Sequence, residues 1–114
     1  MSSYCARGCG RLAVHAHHIV RRQEIRRYGA PELVEVLIAD ERNLMPLCEE
    51  HHAAHHSRSN VIPLALVPDG AVDFAVRLMG AGRAFEFLSR FYAHDGRRED
   101  DRLVRLLLEW EEAA

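Results

Sequence analysis

The chain has 114 residues, 48% of them hydrophobic and 28% charged, with a formal net charge of -2; that length suits one compact domain and is too short for two sizeable cores. No apolar run is long enough to span a bilayer and no secretory leader is laid out at the N-terminus, so a cytoplasmic protein is expected rather than a membrane or exported one. Residues 1 to 60 hold eight Arg against seven acids and seven of the eight His, whereas residues 61 to 114 hold seven Arg against ten acids, which places any affinity for nucleic acid in the first half.

In chain order, "YCARGCGRLAVHAHHIV" opens with a glycine-rich knuckle and runs into a short strand, roughly Val14 to Val20. The stretch "RRQEIRRYGAP" carries Arg21, Arg22, Arg26 and Arg27 at helical spacing until Gly29 and Pro31 break it, predicting a short basic helix. "ELVEVLIAD" fits helix and strand about equally. "RNLMPLC" reads as a second short strand, and "EEHHAAHHSR" as a helix with acids in its first turn and Arg58 near its end, which suits the helix dipole.

From Ser59 the character changes. "SNVIPLALVPDG" is a wrapping segment or linker, followed by three predicted helices in "AVDFAVRLMG", "AGRAFEFLSRFYAH" and "REDDRLVRLLLEWEE". Phe85, Leu88, Phe91 and Tyr92 form one apolar stripe, and Leu103, Leu106, Leu107 and Trp110 another; both are read as packing faces. His15 and His94 are read as ordinary surface or packing residues.

The chemistry concentrates in the first half. Cys5 and Cys9 make a C-x3-C knuckle, and Cys48 with His51 makes a C-x2-H pair at the start of a helix. Two ligands from each of two chain segments are what a closed tetrahedral zinc site needs, and such a site staples a small domain. Three cysteines cannot all pair with one another, which favours a metal over disulfides in a reducing compartment. His55, four residues after His51, is an alternative fourth ligand.

A second set remains. His52 and His56 are an i, i+4 pair on one helical face, and His17 and His18 are neighbours on a strand, so one can ligate a metal while the other is held off it. Three imidazoles with open coordination positions describe a catalytic metal.

The strings "AHHIV", "RNLMPLC" and "CEEHHAAHH" resemble the HNH endonucleases of the ββα-metal (His-Me finger) fold, in particular small phage-type members with a zinc knuckle. The resemblance covers residues 5 to 58 closely and the tail more loosely. It implies an α+β chain: a zinc-stapled ββα-metal core over residues 1–60 and a helical C-terminal extension over residues 61–114. By the same resemblance His17 is the first ligand of a catalytic divalent ion (Mg, Mn, Ni or Zn), His18 the general base, Asn43 the residue that orients the base through a backbone carbonyl or the imidazole ring, and His52 with His56 the remaining ligands. Cys5, Cys9, Cys48 and His51 would hold structural Zn2+, with His51 standing where the family has a cysteine. The connection between the His pair and Asn43 is longer than the short turn of many relatives. The substrate implied is double-stranded DNA, gripped through Arg21, Arg22, Arg26 and Arg27 and cut with low sequence specificity, as a nick or through both strands. A phage terminase large subunit is the partner, and a bacterial host cytoplasm the location, that a phage-type member implies. Two rivals are a zinc-stapled DNA-binding module and a terminase adaptor, each without significant cleavage.

Overall fold

A computed structural model describes residues 4–58, 62–93 and 104–105. Strand β1 (His15–His18) pairs antiparallel with β2 (Leu44–Leu47), His15 opposite Leu47 and His18 opposite Leu44. β1 is shorter than the expected Val14 to Val20 because the chain leaves the ladder after His18. The Ile19 N–H donates to the Asn43 carbonyl at 2.9 Å, and Ile19 and Val20 turn inward to become fully buried.

Helix α1 (Arg22–Tyr28) forms where the arginine spacing predicts it, with Ile25 as its buried anchor. The segment that fitted two structures is helical: Pro31 opens a 3-10 turn, Pro31–Leu33, with φ already set for it, and α2 (Val34–Ile38) follows. Burial shows why. Val34, Leu37 and Ile38, at i, i+3 and i+4, pack against the core while Val36 is 67% exposed, a helical period and not an alternating one. Asp40 then caps the next turn by accepting from the Arg42 N–H at 3.0 Å, and that turn, Glu41–Asn43, delivers Asn43 to β2.

Helix α3 (Glu49–Arg58) packs on β1 and completes a strand, strand, helix unit whose long connection is α1 and α2. Helices α4 (Asp69–Met79) and α5 (Ala81–Phe91) pack against each other and are separated at Gly80, whose φ of 86° ends one helix and starts the next. One apolar cluster draws its buried members from Cys5 to Tyr92, among them Ile19, Ile25, Leu47, Ile62, Leu64, Val72, Val76 and Leu88. Leu88 and Tyr92 of the expected stripe lie in it, joined by Phe87, while Phe85 and Phe91 pack at its edge. The stripe from Leu103 to Trp110, and His94, lie outside the described residues. Among the described residues no helix is long and apolar enough to cross a membrane.

Gly29 lets α1 lie close on α2. A Cβ there would sit 2.7 Å from the Ile25 carbonyl oxygen and 2.9 Å from a Leu37 methyl, whereas one on Gly82 of α5 meets nothing within 4 Å. Gly29→Ala is therefore expected to destabilise by about 1–3 kcal/mol, and Gly82→Ala to be neutral or stabilising by up to about 0.5–1 kcal/mol. Thermal unfolding of the two variants, moving in opposite directions from wild type, checks this.

Candidate functional site

The knuckle is built by two glycines in the left-handed region, Gly8 at φ 79° and Gly10 at φ 81°, which fold the chain back so that the Cys5 N–H donates to the Arg11 carbonyl at 2.9 Å. The Ala6 N–H then donates to the Pro46 carbonyl at 2.8 Å, hanging the knuckle on β2 beside the start of α3. As a result the ligand atoms of Cys5, Cys9, Cys48 and His51 all lie within 4.8 Å of one another. The three thiols are free.

The spacing suits a tetrahedral N/S site. Zinc bonds of about 2.3 Å to sulfur and about 2.0–2.1 Å to nitrogen imply edges of about 3.8 Å between sulfurs and about 3.6 Å from sulfur to nitrogen. Cys9 Sγ lies 3.9 Å from Cys48 Sγ, and His51 Nδ1 lies 3.6 Å from Cys5 Sγ and 3.4 Å from Cys48 Sγ. The His51 backbone N–H points at Cys48 Sγ and holds that thiol down at about 7, which favours the thiolate a metal needs, while burial pushes Cys5 up. His55 is not part of this group: its ring centroid lies 4.9 Å from that of His17 and 5.2 Å from that of Tyr92.

His17, His52 and His56 form the second group, with one ligand atom from each inside the same 4.8 Å limit. The Nε2 atoms of His52 and His56 are 3.0 Å apart, close to the separation of adjacent nitrogens around one ion, about 3.0–3.4 Å for octahedral to tetrahedral geometry. Burial, then the neighbouring His55, His52 and His56, hold His17 down to about 3, so it is neutral and able to ligate. His15, exposed, stacks on His52 with centroids 4.3 Å apart and planes 21° off parallel, a packing role that fixes the His52 ring.

His17 and His18 both line one open cleft of about 840 Å³, together with His52, His56, Arg22 and Arg26. His18 Nε2 lies 3.0 Å from the Ile38 carbonyl oxygen. A carbonyl only accepts, so Nε2 carries the ring proton and Nδ1 is left with a lone pair. Burial is the main cause that lowers the His18 pKa, keeping the ring neutral and ready to take a proton.

Asn43 is fully buried, and both ends of its amide bond to Val20 rather than to the His18 ring. Its Oδ1 accepts from the Val20 N–H at 2.7 Å and its Nδ2 donates to the Val20 carbonyl at 2.9 Å. The amide thus locks the point where the chain leaves β1, and the carbonyl that orients the imidazole belongs to Ile38. Of the four arginines, Arg21, Arg22 and Arg26 line the cleft, while Arg27 lies outside its lining and over the Tyr28 ring at 5.3 Å. Arg21 is braced from behind, 4.3 Å above the Phe91 ring and paired with Glu24.

Three neighbours of the site are not expected in these places from the sequence: the Ile38 carbonyl has no side-chain signal, His55 has the spacing of an alternative zinc ligand and packs against His17 instead, and Tyr92 belongs to a stripe read as a packing face. The Tyr92 hydroxyl donates to the Ile19 carbonyl at 2.6 Å and lies 3.0 Å from His17 Nε2. A tyrosine inside an apolar stripe announces that its hydroxyl needs a partner, but not which one.

Metal analysis separates the two candidates for the fourth zinc ligand. His51→Ala is expected to lose the zinc and with it most of the domain's stability, His51→Cys to retain about one zinc per chain, and His55→Ala to leave the zinc content unchanged.

Comparison with known proteins places this geometry. A family model described as HNH endonuclease matches residues 5–63, just over half of the 114 residues and the span that contains both donor sets, His18 and Asn43. No curated protein and no solved structure matches the chain. The α+β architecture, the two-stranded antiparallel sheet with α3 against it and the Cys3His group agree with a ββα-metal core, and the chain belongs to the HNH endonuclease family, whose members are divalent-metal-dependent nucleases acting on DNA.

Proposed function

We propose that this chain hydrolyses phosphodiester bonds of double-stranded DNA, with His18 as general base and His17, His52 and His56 as ligands of one divalent ion. The observation that carries the reading is the juxtaposition of a neutral imidazole with a bare Nδ1 and a three-histidine donor set in one arginine-lined cleft. When bound, the ion supplies positive charge against the phosphate oxygens and the leaving 3' oxygen.

The chain's own residues do the rest. His18 Nδ1 takes a proton from a water whose oxygen forms the new bond to phosphorus as the bond to the 3' oxygen breaks. The Ile38 carbonyl fixes the tautomer that makes Nδ1 the basic nitrogen and stabilises the imidazolium formed. Asn43 holds the strand exit that aims His18, so its contribution is positional. Arg21, Arg22 and Arg26 grip flanking phosphates, a sequence-independent interaction that fits weakly specific cutting. The Cys3His group fixes the base of α3, and hence His52 and His56, relative to β1. The all-imidazole donor set favours Zn, Ni or Mn over Mg as the catalytic ion. A terminase large subunit as partner stands on the resemblance alone, and no described surface speaks for it.

Plasmid cleavage after chelation, with Mg, Mn, Ni and Zn each restored in turn, tests the reading. Wild type is expected to nick or linearise DNA with at least one ion, and His18→Ala to be slower by about 10²–10⁴-fold while binding DNA as before. Equal rates for the two proteins would exclude His18 as base, and salt-sensitive binding with no cleavage under any ion would leave a DNA-binding module. For the cleft arginines, Arg22→Gln together with Arg26→Gln should flatten the slope of log affinity against log salt by about 0.9 for each phosphate no longer neutralised.

A further inference from the structure

Tyr92 sits at the C-terminal end of α5, outside the span the family model matches, yet its hydroxyl reaches the first candidate metal ligand. Its side chain is 1% exposed, the largest of the fully buried ones. The backbone beside it is fixed on both sides: the Ala93 N–H donates to the Ile62 carbonyl at 3.0 Å, and the Ala93 carbonyl accepts from the Leu64 N–H at 2.8 Å. The hydroxyl is therefore held by a rigid frame.

Proton counting gives it a role. A phenol has one proton, and Tyr92 gives it to the Ile19 carbonyl at 2.6 Å, an oxygen that can only accept. The face turned to His17 is a lone pair, so the 3.0 Å approach is made by His17 Nε2–H donating to the Tyr92 oxygen. An imidazole that binds an ion needs one bare nitrogen, and with Nε2 protonated that nitrogen is Nδ1. The Ile19 carbonyl already satisfies the hydroxyl as a core tyrosine; the bond to His17 is additional.

We infer that Tyr92 is a positioning residue for the candidate catalytic metal centre: it fixes the ring and tautomer of His17 so that His17 meets the ion through Nδ1. The C-terminal helices are thereby a working part of the centre and not an appended module. Phe91, the preceding residue, braces Arg21 at the same cleft wall, so two neighbouring residues of the extension support two different parts of the site. The inference rests on the reading of His17 as a metal ligand, and its test does not use cleavage.

Two measurements on the full chain, with zinc in the Cys3His site and the second site empty, decide it. Long-range proton–nitrogen NMR of wild type should show His17 protonated at Nε2; protonation at Nδ1 overturns the inference without any variant. Tyr92→Phe keeps the ring and removes only the acceptor. Calorimetric titration with Ni2+ should then show affinity at the second site reduced about 10–100-fold, with zinc content unchanged and His17 no longer confined to one tautomer. Ni2+ affinity equal to wild type, in a folded Tyr92→Phe protein, overturns the positioning role. If wild type takes up no Ni2+ at the second site and His17→Ala does not alter this, the metal-ligand reading itself fails, which is a distinct result.

Discussion

Helix α3 turns by about 100° per residue, and that rotation is what allows one short segment to contribute to two candidate metal-binding groups. His51 and His52 are sequence neighbours, yet the first points at the three thiols and the second at His17 and His56. The remaining architecture keeps these two directions meaningful. The glycine knuckle brings Cys5 and Cys9 to one side of the helix start, and the β1–β2 pair brings His17 to the other. A shift of α3 by a fraction of a turn would dissolve both sets together, so an ion held by the Cys3His group would act on the second set through the helix they share.

The opposite wall of the cleft depends on backbone groups. His18 is aimed by the carbonyl at the end of α2, and α2 is held against α1 through the close approach at Gly29. Asn43 ties the two ends of the long connection by gripping Val20 with both ends of its amide. Because Asn43 and Val20 are fully buried, loss of either side of this pair leaves a polar atom without water or partner, at a cost of about 1–3 kcal/mol. The cleft thus joins an open, cationic mouth to buried polar groups of which Asn43 and Tyr92 are hydrogen-bonded and the His55 Nδ1 is not.

Much of this was legible in the sequence for a physical reason: metal ligands must come from a few residue types at spacings that local geometry dictates. The knuckle Cys5 and Cys9, the pair Cys48 and His51, and the i, i+4 pair His52 and His56 all announce themselves this way. The strand and helix of the ββα unit follow from the same strings, and α4 and α5 from apolar periodicity. What was hidden lies in interactions between distant parts of the chain. The segment Glu32 to Asp40 fits two periods until the core decides between them. A backbone carbonyl such as that of Ile38 carries no side-chain signature at all. The partner of Asn43 is Val20 rather than the imidazole, and nothing in "RNL" distinguishes the two. Tyr92 looks like packing until the fold places it against His17, 75 residues away.

The existence of two chemically different metal sites on one helix is tested most directly by titrating metal-free protein with Co2+ under anaerobic conditions and following the absorption spectrum. Two sites predict two equivalents bound. One carries the near-ultraviolet charge-transfer band of thiolate ligands, and the other adds ligand-field absorption without any further sulfur band. Saturation at a single equivalent, or a sulfur band that grows in proportion through both, would contradict the separation of the Cys3His and three-histidine sets.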